Sequence, residues 1–300
     1  MTNFKIGNAP CSWGTIENME GEAIGYSQML DELKQSGYEG TELGDWGFMP
    51  TDPIELKDEL DSRGLELIAS WVSVRLYDKS FHSDGVKQAL KVAKLLAKVG
   101  GEKALINIGD DHSTVKRRFE KTGRITKADG MDDETWKIYV DGVHKVAEAV
   151  KGETGLGSSF HPHAATYVET PEEIRRFLEM TDPNLIGICF DTGHNMLGGG
   201  DPAKSIKEYG DRIWLMHFKD FSRELAQESY TKKHNYKDMI EAGVFSELGR
   251  GSVDFESVLN SIKDINYQGW IVVEQDVLPG MGEPLKSATY NRGFLKTIGL

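Results

Sequence analysis

Only two cysteines, Cys11 and Cys189, occur in 300 residues, too few for a disulfide framework. Both lie in apolar, strand-like runs and read as buried thiols of a reducing compartment. Positive charge is also scarce: 35 Lys and Arg face 48 Asp and Glu, a formal net charge of −13. A polyanion partner needs phosphate-neutralising side chains gathered on one surface, so no nucleic acid is expected as a ligand. No apolar run reaches the ~18 residues of a membrane span. Met1-Thr2-Asn3-Phe4-Lys5 lacks the basic start and apolar stretch of a secretory signal. A cytoplasmic protein without membrane contact is expected. Proline-rich and low-complexity linkers are missing too, so one domain over residues 1–300 is expected.

What remains is a balanced globular composition, 39% hydrophobic and 28% charged. A chain of this length buries roughly 75% of its unfolded surface and needs no staple to fold. Short β-forming runs recur at Lys5–Cys11, Gly40–Leu43, Leu65–Val72, Lys103–Ile108, Leu156–His161, Leu185–Asp191, Ile213–His217 and Trp270–Glu274. Helical segments separate them. Trp136, Tyr139, Val140, Val143, Val146, Ala147 and Val150 recur at three- and four-residue steps, as do Phe255, Val258, Leu259, Ile262 and Ile265.

Helix starts are marked by Asp52-Pro53, Thr170-Pro171 and Asp201-Pro202, an acceptor at the cap and proline behind it. Glu55 and Glu173 are spaced to complete capping boxes at the first two. Gly37, Gly64 and Gly100-Gly101 stand where helices should stop. Sequential βα units imply parallel strands with right-handed crossovers, and eight of them predict a (β/α)8 TIM barrel of α/β class. An open dinucleotide-binding sheet is disfavoured, because no G-x-G-x-x-G turn follows the first strand. Two long loops, Gly109–Asp133 with Lys116-Arg117-Arg118 and Lys219–Ser252, leave strand ends and are expected to serve as lids or binding segments.

The strand ends carry the chemistry. The fifth ends in His161-Pro162-His163, the sixth in Asp191-Thr192-Gly193-His194, the seventh in His217-Phe218-Lys219-Asp220, the eighth in Glu274-Gln275-Asp276. In a barrel these ends adjoin around one rim, the active face of the fold. Asp191, His217 and Glu274 would converge there, with either His161 or His163 completing a ligand set for one divalent ion. Carboxylates gathered without a cation would repel one another. Mn²⁺ or Co²⁺ is favoured over Mg²⁺ or Zn²⁺.

These stretches, with Gly7–Trp13, Gly40–Gly44, Gly249–Phe255 and Gly269–Glu274, resemble the xylose-isomerase-like barrel superfamily of sugar isomerases, epimerases and dehydratases. Within it they resemble most the inosose (2-keto-myo-inositol) dehydratases, through the His-x-His and Thr-Glu-Leu-Gly stretches. The resemblance implies a metal held by His161, Asp191, His217 and Glu274. Many epimerases and isomerases of the superfamily carry glutamate where His161 stands. Its replacement removes one negative charge, which sharpens the metal as a Lewis acid, and one carboxylate of a two-faced proton relay.

Both changes point to a lyase that dehydrates a keto-inositol or related keto-sugar by α-proton abstraction and β-elimination. A sugar isomerase or epimerase, or a 3-keto-glycoside lyase, is the alternative within the superfamily. A DNA-repair endonuclease would need more metal-binding histidines and a basic groove. A binding protein would be expected to lack part of the ligand set. Candidate acid/base residues are Glu42, His163, His194 and Glu274, with Lys219 placed to neutralise a substrate oxygen. Trp13, Trp46 and Trp71 are expected to wall a small polyhydroxylated carbonyl substrate, and Arg250 to meet an anionic group on it or a second subunit, since a homo-oligomer is common in such barrels.

Overall fold

An isolated strand leaves its backbone N–H and C=O groups unpaired along both edges, and a closed ring is the arrangement that pairs them all. In the computed structural model, which describes residues 4–16, 21, 24–111 and 114–300, eight parallel strands form such a ring. Met1–Asn3, part of the stretch read for a secretory signal, lies outside the described residues. The strands are β1 (Lys5–Asn8), β2 (Gly40–Thr41), β3 (Glu66–Leu67 and Ala69–Val74), β4 (Leu105–Asp110), β5 (Gly157–Phe160), β6 (Ile186–Asp191), β7 (Ile213–Phe218) and β8 (Trp270–Val273).

Ring closure happens inside β3. Its first part pairs with β2 and its second with β4. Ile68 joins the two, donating to Thr41 O at 2.9 Å and accepting from Leu105 N at 3.1 Å. At the other seam β1 pairs with both β2 and β8. All eight expected strands are present, and an α/β barrel of the TIM type is the fold. No described helix is long and apolar enough to cross a membrane.

Helices cover the ring because their apolar faces have nowhere else to go. In the helix Asp133–Thr154 the seven residues of the sequence pattern, from Trp136 to Val150, are all buried. The helix Phe255–Asp264 buries Phe255, Val258, Leu259 and Ile262, while Ile265 falls just past its end. Each fully buried Val, Leu or Ile contributes about 1.5–3 kcal/mol by leaving water.

The caps follow the sequence with one exception. Asp52, Thr170 and Asp201 accept from backbone N–H groups of the first turn, and Glu173 closes the capping box with Thr170. At Asp52 the carboxylate accepts from the N–H groups of Ile54 and Glu55, but the Glu55 side chain does not close the box back to Asp52 N. Cys11 lies on the 3₁₀ turn Pro10–Trp13 rather than in β1, and it is partly exposed, unlike the buried Cys189.

Neither long loop is without structure. Gly109–Asp133 holds the end of β4, the helix Lys116–Lys121 and the 3₁₀ turn Lys127–Asp129. Its Arg118 is not a ligand-facing cation. It is fully buried, with Nη1 and Nη2 each 2.8 Å from a Glu173 oxygen and Nε 2.6 Å from Thr166 O. The guanidinium therefore staples the segment behind β5 that carries His163. Lys219–Ser252 holds the antiparallel ribbon of Asp220–Phe221 with Phe245–Ser246, and the helices Arg223–Lys232 and Tyr236–Glu241. Asp220 anchors this excursion. Its carboxylate accepts from the N–H groups of Gly249, Gly251 and Val253 at 2.8–3.0 Å, and a Cβ on Gly251 would lie 2.3 Å from Asp220 Oδ1.

Replacing Arg118 with Met leaves the Glu173 carboxylate without its counter-ion, with only the N–H groups of Glu169 and Thr170 to answer it. The expected cost is about 3–5 kcal/mol of unfolding free energy, read from urea denaturation. A loss below about 1 kcal/mol would show that the staple is solvated in practice.

Candidate active site

The C-terminal ends of the strands open into a cavity of about 100 Å³. Glu42, Trp71, Asn107, His161, His163, His217, Lys219, Tyr236, Glu274 and Asp276 line it. Barrel geometry gathers them: Asp191 is in register with His217, and Val273 with Phe218, so β6, β7 and β8 deliver their last residues to one level.

Three hydrogen bonds set the histidine tautomers. His161 Nδ1 lies 3.0 Å from Pro162 O and donates to it, so its Nε2 is the lone-pair nitrogen. His217 Nε2 lies 2.8 Å from Glu42 Oε1, which turns Nδ1 inward. His163 Nδ1 lies 2.6 Å from Ala164 O, which leaves Nε2 as the basic nitrogen, 3.4 Å from the Tyr236 hydroxyl. Two inward nitrogens, His161 Nε2 and His217 Nδ1, then face each other at 3.1 Å. A proton on one of them can bridge this pair, and a cation between them is the other solution.

The carboxylates converge on the same point. Asp191 Oδ1 caps the helix Thr192–Leu197 by accepting from His194 N at 2.8 Å. Its buried Oδ2 has no hydrogen-bond partner, and lies 3.9 Å from His217 Nδ1 and 4.0 Å from His161 Nε2. Glu274 Oε1 is 3.2 Å from His217 Nδ1. One donor atom from each of His161, Asp191, His217 and Glu274 lies within 4.8 Å of all the others. Ligands about 2.0–2.2 Å from a tetrahedral ion lie roughly 3.3–3.6 Å apart, so the observed separations bracket that value. A buried carboxylate oxygen without a hydrogen bond, two opposed lone pairs and a second carboxylate fit a divalent ion.

Titration follows from this crowding. Burial, with the charge of His217, pulls His161 down to about 3. Burial would lower His217 as well, but Cys189 and the Glu274 and Glu42 carboxylates outweigh it and raise the imidazole well above its ordinary value. The Cys189 thiol is itself pushed up to about 12 by burial, so the carboxylates supply that charge. Burial raises Asp191 despite Lys219 beside it. Burial would also raise Glu274, yet His217 and Lys219 hold it well below the carboxylate range.

Of the residues expected at the site, several are elsewhere. His194 is buried behind the cavity, with Nε2 3.0 Å from Lys219 Nζ and Nδ1 accepting from Ala164 N at 3.3 Å, so it does not reach a substrate. Trp13 is in the core, its Nε1 donating to Glu32 at 2.7 Å. Trp46 is on the surface with Lys91 over its ring. Arg250 is exposed, stacked on Tyr290 and paired with Glu247 at 3.4 Å, away from the cavity. Trp71 alone of the three tryptophans forms a wall, 5.5 Å from the His161 ring and 5.7 Å from that of His163. Gly109 makes this wall: a Cβ there would lie 1.7 Å from the Trp71 ring.

Three further residues belong to the cavity. Asp276 accepts from Tyr236 at 3.0 Å and from Lys219 at 2.8 Å. Tyr236 reaches in from the long excursion after β7, and burial together with Asp276 holds its hydroxyl well above the usual range. Asn107 donates to Glu42 at 3.4 Å and accepts from Ser159. Asp276 was legible in the sequence, because it follows Glu274 by two residues and extended chain returns to the same face at that spacing.

A parallel barrel with a buried cluster of two imidazoles and two carboxylates at its mouth is the framework of a metal-dependent enzyme. The xylose isomerase-like TIM barrel family matches residues 30–298, and the chain belongs to it. It is 31% identical over 298 residues to the inosose dehydratase of Geobacillus kaustophilus (strain HTA426), covering 98% of this chain and 94% of the relative. To the inosose dehydratase of Lacticaseibacillus casei it is 31% identical over 293 residues, 97% and 96% of the two chains. Among solved structures, the IOLI protein with a bound zinc atom superposes with a TM-score of 0.71 at 13% identity, over 98% and 97% of the chains. The probable 3-DHS dehydratase AsbF of Bacillus anthracis gives 0.70 at 15% identity, over 97% and 98%. Epimerases share the fold as well: an L-ribulose 3-epimerase gives 0.70 at 15% identity, over 99% and 94%.

Glu42 stands behind His217 as carboxylates stand behind metal-ligating histidines. Glu42→Gln is therefore expected to weaken divalent-ion affinity about 10–100-fold while the fold survives. Calorimetric titration of the stripped protein reads this directly; unchanged affinity would mean that His217 needs no such partner.

Proposed function

We propose that this chain is a metal-dependent carbon–oxygen lyase of the cytoplasm that removes water from a keto-inositol or a related keto-sugar. The observation that carries the reading is the division of labour among the histidines. His161 and His217 point lone pairs at the ligand cluster, while His163 turns its basic nitrogen toward Tyr236 on the cavity wall. The full-length likeness to inosose dehydratases supports the substrate class.

In this reading His161 Nε2, His217 Nδ1, Asp191 Oδ2 and Glu274 Oε1 hold the metal. Two imidazoles with two carboxylates suit Mn²⁺, Co²⁺ or Zn²⁺ better than Mg²⁺, which prefers oxygen ligands and water. When bound, a divalent ion supplies Lewis-acid polarisation of a ketone oxygen, a term worth several kcal/mol of barrier.

The protein's own groups do the proton work. His163 Nε2 takes the proton from the carbon beside the ketone, and the electron pair moves toward the carbonyl. A carbon–carbon double bond then forms as hydroxide leaves the next carbon over, and the proton gained by His163 leaves with it as water. No oxidant or reductant is needed. Behind His163, the Ala164 carbonyl accepts from Nδ1 and supports the imidazolium as it forms, while the Tyr236 hydroxyl, which donates to Asp276, flanks Nε2 on the cavity wall. Trp71 beside His161 and His163 walls one side of the ring and excludes water.

His163→Ala should lower kcat by about 10²–10⁴ and leave metal binding intact, the range for loss of a general base. His217→Ala should abolish metal binding with the fold retained. The reaction itself is tested by incubating metal-loaded protein with inosose and following ultraviolet absorbance and mass. Loss of the mass of one water is the expected result. An unchanged mass with altered stereochemistry would make the chain an epimerase, and no reaction with inosose would set the substrate class aside.

A further inference from the structure

Beside the four-donor cluster lies a second gathering of ligand-type atoms. One donor atom from each of Cys11, Glu274 and Asp276 lies within 4.8 Å of the other two. Glu274 belongs to both groups and divides its oxygens between them, Oε1 toward His217 at 3.2 Å and Oε2 toward Lys219 at 3.0 Å. On this side no metal is needed to balance the charge, because Lys219 Nζ is already there. It lies 2.8 Å from Asp276 Oδ1, 3.0 Å from Glu274 Oε2, 3.6 Å from Asp191 Oδ2 and 3.0 Å from His194 Nε2.

An ammonium has three N–H donors and accepts nothing. Asp276 and Glu274 take two of them, and the third faces the Asp191 carboxylate, 3.6 Å away, so the ammonium is committed to three carboxylates. Its side chain is only 1% exposed, and a buried charge persists only when paired this thoroughly. The surroundings are shaped for it. Thr192 Oγ1 donates to Lys219 O at 2.7 Å and accepts from Lys219 N at 2.9 Å. A Cβ on Gly193 would lie 2.7 Å from Lys219 Cγ, so the Asp191-Thr192-Gly193-His194 turn leaves room for the stem.

We propose that Lys219 is a resident cation filling a second metal position, and that removing its charge opens a divalent-ion site built from Cys11, Glu274 and Asp276. The inference rests on the reading of His161, Asp191, His217 and Glu274 as the first metal site, and is independent of the reaction. Charge balance argues for it. Four carboxyl groups, Glu42, Asp191, Glu274 and Asp276, face the cluster, and one dication with one ammonium offsets three of their charges. Without the ammonium, a second dication together with the Cys11 thiolate it binds leaves the same single residual charge as in the wild type. A thiolate and two carboxylates suit Zn²⁺ or Co²⁺ and discriminate against Mg²⁺. Lys219 thus acts as a positioning residue, holding the outer oxygen of Glu274 so that the inner one is presented to the first ion.

The test is metal stoichiometry. Stripped wild type, Lys219→Ala, Lys219→Arg and the double variant Lys219→Ala/Asp276→Asn are titrated with Co²⁺, desalted and analysed for cobalt per chain, with visible absorption recorded. Wild type, Lys219→Arg and the double variant should each hold one ion. Lys219→Ala should hold two, the second bringing a thiolate-to-cobalt absorption band from Cys11 that Mg²⁺ does not suppress. If the alanine variant does not fold, Lys219→Met keeps the buried stem without the charge and carries the same expectation. A single ion in the folded, uncharged variant, two in wild type, or a second ion that survives Asp276→Asn overturns the proposal. Wild type that binds no ion overturns the first-site reading instead, so the two failures are distinguishable.

Discussion

Buried carboxylates cannot sit together uncompensated, and this constraint organises the molecule. The barrel brings Asp191, Glu274 and Asp276 to the ends of neighbouring strands, with Glu42 across the mouth, all nearly or fully removed from solvent. Taking such groups out of water costs several kcal/mol each unless cations or hydrogen bonds answer them. The answers are spatially separated. Lys219 serves Asp276 and the outer side of Glu274, while the inner side, with Asp191 and two imidazoles, is left for an ion.

The same constraint explains why loops elsewhere are built so firmly. Arg118 fixes the segment behind β5, and Asp220 draws the turn at Gly249–Val253 onto the end of β7. Neither residue touches the cavity, yet each holds a segment that does: the first carries His163, the second begins the excursion that delivers Tyr236. Rigid support of this kind keeps catalytic groups in register to within a fraction of an ångström, which proton transfer requires.

Much of this was legible in the sequence, and the limits are instructive. Strand periodicity and polar strand ends located the barrel and brought Asp191, His217 and Glu274 together, because strand ends in a parallel barrel have only one place to go. They left His161 and His163 as alternatives, and the family resemblance pointed to His161. Direction was harder to read. Trp13 and Trp46 lie close in sequence to strand ends, but a turn decides which way each side chain points, and both turn away from the cavity. Arg250 and Arg118 look alike as loop cations, yet one stacks on the surface and the other is buried against Glu173. Tyr236 was invisible for the opposite reason: it lies far from any strand end, and only the tertiary path of a long excursion brings it to Asp276. His194 shares a motif with Asp191, but the helical turn that Asp191 caps directs it toward Lys219 rather than toward a substrate.

The account stands on a cation held among His161 Nε2, His217 Nδ1, Asp191 Oδ2 and Glu274 Oε1. Anomalous diffraction from a crystal of the metal-loaded protein, collected across the absorption edge of the bound metal, tests it most directly. The expected result is one peak within about 2.0–2.3 Å of those four atoms, with His161 and His217 no longer hydrogen-bonded to each other. A loaded crystal with no peak there, and that imidazole pair still in contact, would contradict it.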